Sequence, residues 1–433
     1  MKAAPEQERA LGMDYFITDG PGCGGLLRSC PEDFRVEEVY QEQRYEGGRY
    51  LVLEIEKTNW DTHHLIREMA RHLRVSQKRF GWAGTKDKRA VTSQRISIMN
   101  LDESELKRVH LPDLKLRVLG RTNRSVGLGD LLGNRFRIWI HDISCPDPAA
   151  SLSMITEEIR DQGGVPNYFG VQRFGDARPV THRVGEALVK GGIEEAVFIY
   201  LAMPFPGELE RTRVARRALW ENKDIPAALK SYPDYLTFEI AILNYLVGHP
   251  GDYAGSFGVL SQNLRRLFVH AYQSYLFNMI LSRRMEAGLP LKRPVVGDVV
   301  CFARNGQPDP EKLQAVTEEN LDAVNRLAER GRAFVTLPLI GYETALAEGD
   351  EGEIERRVLR QEGLSPEDFR VDANADLGSP GTRRAAMLRV VPEISVEGSS
   401  AGLDFFLPAG SYATVLLREY MKSVTVIPEQ GGV

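Results

Sequence analysis

The stretch RFGWAGTKDKRAVTSQR, Arg79 to Arg95, carries the reading of the whole chain. Its two ends, "RFGWAG" and "SQRISIM", have the aromatic and β-branched content of strands, so residues Thr85–Val91 are expected to form a loop supported by sheet. One carboxylate, Asp87, sits on that loop between Lys86 and Lys88, with Arg89 next and Arg79 and Arg95 at the ends. A loop aspartate can serve as a turn residue, as half of an ion pair, or as a catalytic carboxylate kept ionised by the cations around it. A carboxylate held deprotonated suits a nucleophile or base, whereas a general acid needs burial or a second carboxylate.

Outward from this stretch, the charge is unevenly spread. The net charge is -5. Yet Lys57 to Arg95 holds ten Lys/Arg against three acids, and Lys107 to Arg137 holds eight cations against two acids. The compensation lies in Glu343 to Asp376, with eleven acids against four arginines, which read as solvated helix faces. The average therefore conceals a basic region and an acidic lobe. At 433 residues the chain is too long for one core, and two domains are the starting expectation. No window reaches the ~18 apolar residues of a membrane span. The polar, acidic start MKAAPEQERALGMDYF lacks a signal-peptide run, so a cytoplasmic protein is expected.

Other chemistries find little support. Cys23, Cys30, Cys145 and Cys301 match no zinc spacing or disulfide framework, and His63–His64 is not a metal-binding pair, so no metal is expected. Gly84-Thr85-Lys86 runs into Asp87 and a strand instead of the helix that a phosphate-binding loop requires, and GLGDLLG (Gly127 to Gly133) has the wrong spacing. No cofactor site is expected.

Residues 34–58 alternate as strands separated by the Gly47-Gly48 turn. Asp61 or Thr62 is expected to cap a helix running to about Val75, with Leu65, Ile66, Met69 and Leu73 inward and Arg67, Arg71 and Arg74 outward. LKLRVLG and NRFRIWIHD are further strands, and a helix carrying Ile155 and Ile159 follows. Residues 182–335 read as largely helical, including Val259 to Glu286 with Leu260, Leu264, Leu267, Ala271 and Tyr275 at helical spacing. Residues 343–381 read as loop and peripheral helix. Strands return in AMLRVVPEISVEG and LDFFLPAG, and SYATVLLREYMK is a final helix. The pattern is one sheet domain interrupted by an inserted helical domain.

AGTKDKRAVTSQ closely resembles the active-site motif of the TruD family of tRNA pseudouridine synthases, in which the Asp is the nucleophile. Four further motifs resemble the family's and occur in its order: LLRSCPEDFRVEE (Leu26–Glu38), GNRFRI (Gly133–Ile138), VPNYFGVQRFG (Val165–Gly175) and LPAGSYATVLLREYMK. The resemblance spans about residues 25 to 423. It implies an α+β fold: a pseudouridine-synthase-type catalytic domain on a mixed, largely antiparallel sheet, in two parts (1–164 and 387–433). An inserted, mainly helical TRUD domain (165–386) interrupts it. The long insertion resembles archaeal and eukaryotic members more than bacterial ones.

The resemblance also implies roles. Asp87 matches the catalytic Asp, Phe136 the aromatic that stacks on the target uracil, Asn134 the partner that orients the site, and Phe34 a second active-site aromatic. Arg28 stands where bacterial relatives commonly have Lys, so a bidentate grip is available where Lys would be a point charge. Lys86 joins the uridine site, and Arg79, Lys88, Arg89 and Arg173 are candidate RNA contacts. Core packing is the competing reading for both phenylalanines. For Arg211, Arg213, Arg216 and Arg217 in RTRVARR, RNA contact and plain solvation weigh equally.

The implied reaction converts uridine to pseudouridine in tRNA, usually uridine 13 of the D arm, without a cofactor and with no obligate protein partner. The carboxylate could attack covalently or assist cleavage through a glycal; the sequence does not choose. Two other classes stay in view. One is a module that holds tRNA without catalysis. The other is a different RNA-modifying enzyme such as a methyltransferase, which would need a cofactor-binding glycine loop that the sequence lacks.

Overall fold

The computed structural model describes every residue except 128, 372–374, 423–424 and 427–433. The chain forms two compact units. One comprises Ile17–Val165 and Leu388–Val433, the other Met1–Phe16 and Pro166–Met387. The sequence reading placed residues 1–16 with the sheet part. Here they cluster with the second unit, where Asn278 donates to the Leu11 carbonyl (3.0 Å) and Ser282 to that of Gly12 (2.6 Å).

The first unit is built on a ten-stranded sheet. Its strands are β1 (Leu26–Leu27), β2 (Phe34–Tyr40), β3 (Tyr50–Thr58), β4 (Phe80–Trp82), β5 (Val91–Met99), β6 (Leu114–Thr122), β7 (Leu131–His141), β8 (Glu393–Glu397), β9 (Ser400–Pro408) and β10 (Thr425–Val426). The main order is β8-β9-β7-β2-β5-β3-β6, with β4 on β5 and β1 between β7 and β10. Only β2–β5 and β1–β10 are parallel among the described pairs, so the sheet is mixed and largely antiparallel. β2 and β3 flank Gly47-Gly48 in sequence but are not neighbours, because β5 lies between them. Gly48 has φ 132°, and a Cβ there would fall 2.3 Å from the Thr122 carbonyl. That glycine lets the connection cross the end of β6.

The helix Thr62–Leu73 forms where Asp61 accepts from the His64 amide (2.9 Å), and it ends at Arg74 in the left-handed conformation. Leu65, Ile66, Met69 and Leu73 are buried against Leu51, Leu53, Ile55, Ile96 and Ile98, as the spacing requires. Arg67, Arg71 and Arg74 are exposed on the other side. On the opposite sheet face Val52 is covered by Ala83 and Val126, while other positions are polar and reach solvent, as antiparallel sheets allow. There Arg117 pairs with Glu54, Lys115 with Glu56, and Arg135 and Arg137 with Asp404. Several cations of the second basic stretch are therefore matched by cross-strand acids.

The second unit packs seven helices from Thr181–Val189 to Gln262–Glu286. After them comes a four-stranded antiparallel sheet in the order Gln307–Ala315, Val299–Arg304, Ala333–Leu339, Thr382–Ala385. Three of these strands begin inside the span expected to be largely helical. The strand Gln307–Ala315 is mostly exposed and carries Pro308 and Pro310, which an edge strand tolerates and which hide it from pattern reading. In the long helix, Leu267 is exposed, and the buried face is Phe268, Ala271, Tyr272, Leu276 and their neighbours.

The acids of the second unit are not all on solvated faces. Glu351 and Glu355, on the helix Gly349–Glu362, are buried. Arg284, fully buried, holds Asp298 (2.6 Å) and Glu351 (2.8 Å), while Arg383 holds Glu355 (2.8 Å). Arg216 of RTRVARR is likewise internal, between Glu208 (2.8 Å) and Glu239 (2.7 Å).

Candidate active site

Strand register gathers the site. Phe405, Phe136, Val36, Thr92 and Lys57 stand opposite one another on successive strands, so they share one face of the sheet. In the next row on that face, Leu407, Asn134 and Glu38 are opposite one another. Above these rows lies the loop of residues 83–90 that joins β4 to β5.

The loop is held from below by buried side chains. Thr62 Oγ1, at the start of the helix, accepts from the Lys86 amide (3.0 Å), and Gln94 Nε2 donates to the Gly84 carbonyl (3.3 Å). Lys57 has no exposed surface, and its Nζ donates to the carbonyls of Trp60 (2.5 Å) and Asp87 (3.0 Å). Burial pulls the Lys57 amine down to about 8, against the nearby carboxylates of Asp87 and Asp61.

The Asp87 side chain is 40% exposed and projects from this anchored loop. Arg28 Nη2 stands 3.2 Å from its Oδ2, and the same guanidinium lies 4.1 Å above the ring centre of Phe34. Arg28 has φ 58°, a conformation unusual for a side chain of this size. Phe34 meets Phe136 edge to face at 6.2 Å, and Phe136 stacks on Phe405 at 5.3 Å. Both Phe34 (2%) and Phe136 (7%) are nearly covered by protein, so both also do the packing that the competing reading assigned them.

Lys86 does not turn toward its neighbour Asp87. Its Nζ bonds the Asn134 amide oxygen (2.7 Å) and pairs with Glu38 Oε1 (2.8 Å). Glu38 is enclosed and also receives the Arg95 amide (3.2 Å) and the Tyr40 hydroxyl. Burial pushes the Glu38 carboxyl up, and the Lys86 ammonium opposes the rise. With its oxygen taken by Lys86, the Asn134 amide is left to present its NH2 group as a donor.

The structure thus brings Asp87, Arg28, Phe34, Phe136, Asn134 and Lys86 together, and the cation on the Asp87 carboxylate is Arg28, from outside the basic loop. The four candidate RNA contacts differ among themselves. Lys88 is exposed. Arg89 donates to the Ser29 carbonyl (3.3 Å), and Arg79 to the carbonyls of Met99 (2.6 Å) and Asn100. Arg173 belongs to the other unit, where it bonds Ser274 (3.1 Å). Sequence reasoning missed Lys57, Glu38, Thr62, Gln94 and Phe405. The alternation of LDFFLP offers a signal for Phe405, and a lysine in register with Leu51, Leu53 and Ile55 on the apolar face of its strand offers one for Lys57.

Comparison with known proteins concerns the chain as a whole. The family model for tRNA pseudouridine synthase D (TruD) matches residues 10–420. Relatives named "probable tRNA pseudouridine synthase D" include one from Methanosarcina mazei, 51% identical over 96% of this chain and 98% of the relative. Another, from Pyrococcus furiosus, is 39% identical over 94% of this chain and 98% of its own. A crystal structure of the Methanosarcina mazei TruD superposes with a TM-score of 0.86 at 50% identity, covering 97% of this chain and 99% of that one. A match over nearly the whole length, in sequence and in fold, has one meaning: the chain belongs to the TruD family of tRNA pseudouridine synthases.

Proposed function

We propose that this enzyme isomerises uridine to pseudouridine in tRNA, at uridine 13 of the D arm, with Asp87 as nucleophile and without a cofactor. The observation that carries the reading is the accessible Asp87 carboxylate gripped by Arg28 beside the Phe34–Phe136 pair. In the reaction the N1–C1′ bond breaks, the uracil turns, and C5 bonds to C1′. N1 gains a proton and C5 loses its hydrogen. Asp87 serves either by covalent attack or by assisting cleavage through a glycal, and Arg28, 3.2 Å from its Oδ2, orients the carboxylate for either route.

Extruding the target base costs ~ a few kcal/mol. Stacking on an aromatic ring at ~1–3 kcal/mol per base offsets that cost, a task that falls to the uncovered part of Phe136. The Asn134 amide NH2 donates to a uracil carbonyl. The exposed cations Arg67, Arg71, Arg74 and Lys88 supply phosphate contacts, so affinity falls as salt rises.

The test is tritium release from an unmodified tRNA transcript labelled at uracil C5, using wild type and Asp87→Asn, with the modified position then mapped by carbodiimide-dependent primer-extension stops. Release by wild type alone, with a stop at uridine 13, is expected. Turnover by Asp87→Asn would refute the assigned nucleophile. A stop elsewhere would refute the assigned position.

A further inference from the structure

Asp87 is held at both ends. Arg28 grips its carboxylate, and the buried Lys57 ammonium bonds its peptide carbonyl at 3.0 Å. The other described anchors of the loop act one residue or more away, at Gly84 and Lys86 on one side and at Lys88–Ala90 and Arg89 on the other. Lys57 is the penultimate residue of β3 and shares its sheet face and row with Phe136. One rigid strand row thereby references both the stacking ring and the aspartate peptide.

Lys57 is an expensive way to close a loop. A buried ammonium ordinarily has a carboxylate partner, because burying charge is costly. The described bonds of Lys57 run instead to two peptide carbonyls, those of Trp60 and Asp87. The charged groups acting on it are Asp87 and Asp61, which favour the ammonium, and Lys86, which opposes it.

We propose that Lys57 is a positioning residue of the isomerisation: its ammonium fixes the Asp87 peptide so that the carboxylate meets the uridine, and turnover drops when that ammonium is removed or loses its proton. The inference rests on Asp87 being the nucleophile. A neutral amine keeps N–H donors but gives up the charge-assisted strength of its bonds, so deprotonation loosens the loop without releasing it.

The experiment measures tritium release at saturating and subsaturating tRNA, between pH 7 and 9.5, for wild type, Lys57→Met and Asp87→Asn. Melting curves and filter binding of the same tRNA accompany it. Lys57→Met is expected to lower turnover at saturation on the order of a hundredfold, the effect of a small displacement of a reacting group, while tRNA affinity stays within about twofold of wild type. Wild-type turnover is expected to fall as pH rises through about 8, and Lys57→Met to show no such fall.

Wild-type turnover by folded Lys57→Met, or a loss confined to affinity, would overturn the proposal. So would an alkaline fall of the same midpoint in wild type and variant. Should Lys57→Met not fold, a wild-type rate that holds level to pH 9.5 overturns it alone. An active Asp87→Asn overturns the nucleophile assignment itself, an outcome distinct from any of these.

Discussion

The same lysine should leave a mark on folding opposite to its mark on catalysis. Its ammonium has an ordinary value of 10.5 and is drawn to about 8 in the fold by burial. A base whose native value lies below its unfolded value binds fewer protons when folded. Stability is therefore penalised at low pH and recovers as pH rises between the two values. The full penalty is about 3 kcal/mol, and between pH 7 and 9.5 about 2 kcal/mol of it should be recovered. Replacing Lys57 by Met removes the charge and keeps an unbranched chain in the same enclosed space. It also strips partners from two part-buried carbonyls, at up to ~1–3 kcal/mol each. These terms oppose one another, so at pH 7 the two proteins should unfold at comparable urea concentrations. As pH rises to 9.5, wild type should gain on Lys57→Met by about 2 kcal/mol. Urea unfolding of both proteins at matched pH isolates this lysine, because every other titrating group cancels in the difference. A difference that stays flat across that range would refute the reasoning, since the folded amine would then hold its proton as tightly as the unfolded one and burial would not penalise its charge.

Two further outcomes follow from the geometry. Phe136→Leu keeps most of the packing against Phe34 and Phe405 but removes the aromatic face. It should lower kcat/KM by about fivefold to a hundredfold, whereas Phe136→Ala should also cost about 3–5 kcal/mol of stability in urea unfolding. Arg284→Met in the second unit strands the buried Asp298 and Glu351 carboxylates and should cost about 3–5 kcal/mol. That loss should be smaller at pH 5.5 than at pH 8, because burial already pushes Glu351 up to about 7 and protonation relieves an orphaned acid.

What was legible in the sequence is what local chemistry decides. The helix Thr62–Leu73 was visible because its cap and its apolar face both obey a short-range rule. The strand pair around Asp87 was visible because Phe80–Trp82 and Val91–Met99 bracket a loop with no competing pattern. The identity of the carboxylate's partner was not visible. Asp87 lies in sequence among the cations Lys86, Lys88 and Arg89, yet Lys86 turns to Glu38 and Asn134, and Arg28, some sixty residues earlier, takes the carboxylate. That exchange depends on register, and register is set by pairings such as Val36 with Phe136 that no local pattern encodes.

The acidic segment misled for a related reason. Composition counts charges but cannot say which side of a helix meets a buried arginine, so Glu351 and Glu355 read as solvent-facing when each answers a cation inside the unit. A lysine on the apolar face of a strand is the same kind of signal as those acids. Taken by itself it reads as a charge at a strand end, free to reach solvent. Set against Thr92 and Phe136 in one row, with its side chain wholly enclosed, it becomes a charge that the fold retains at a cost. A retained cost calls for a beneficiary, and one of the two carbonyls that Lys57 bonds is the peptide of Asp87.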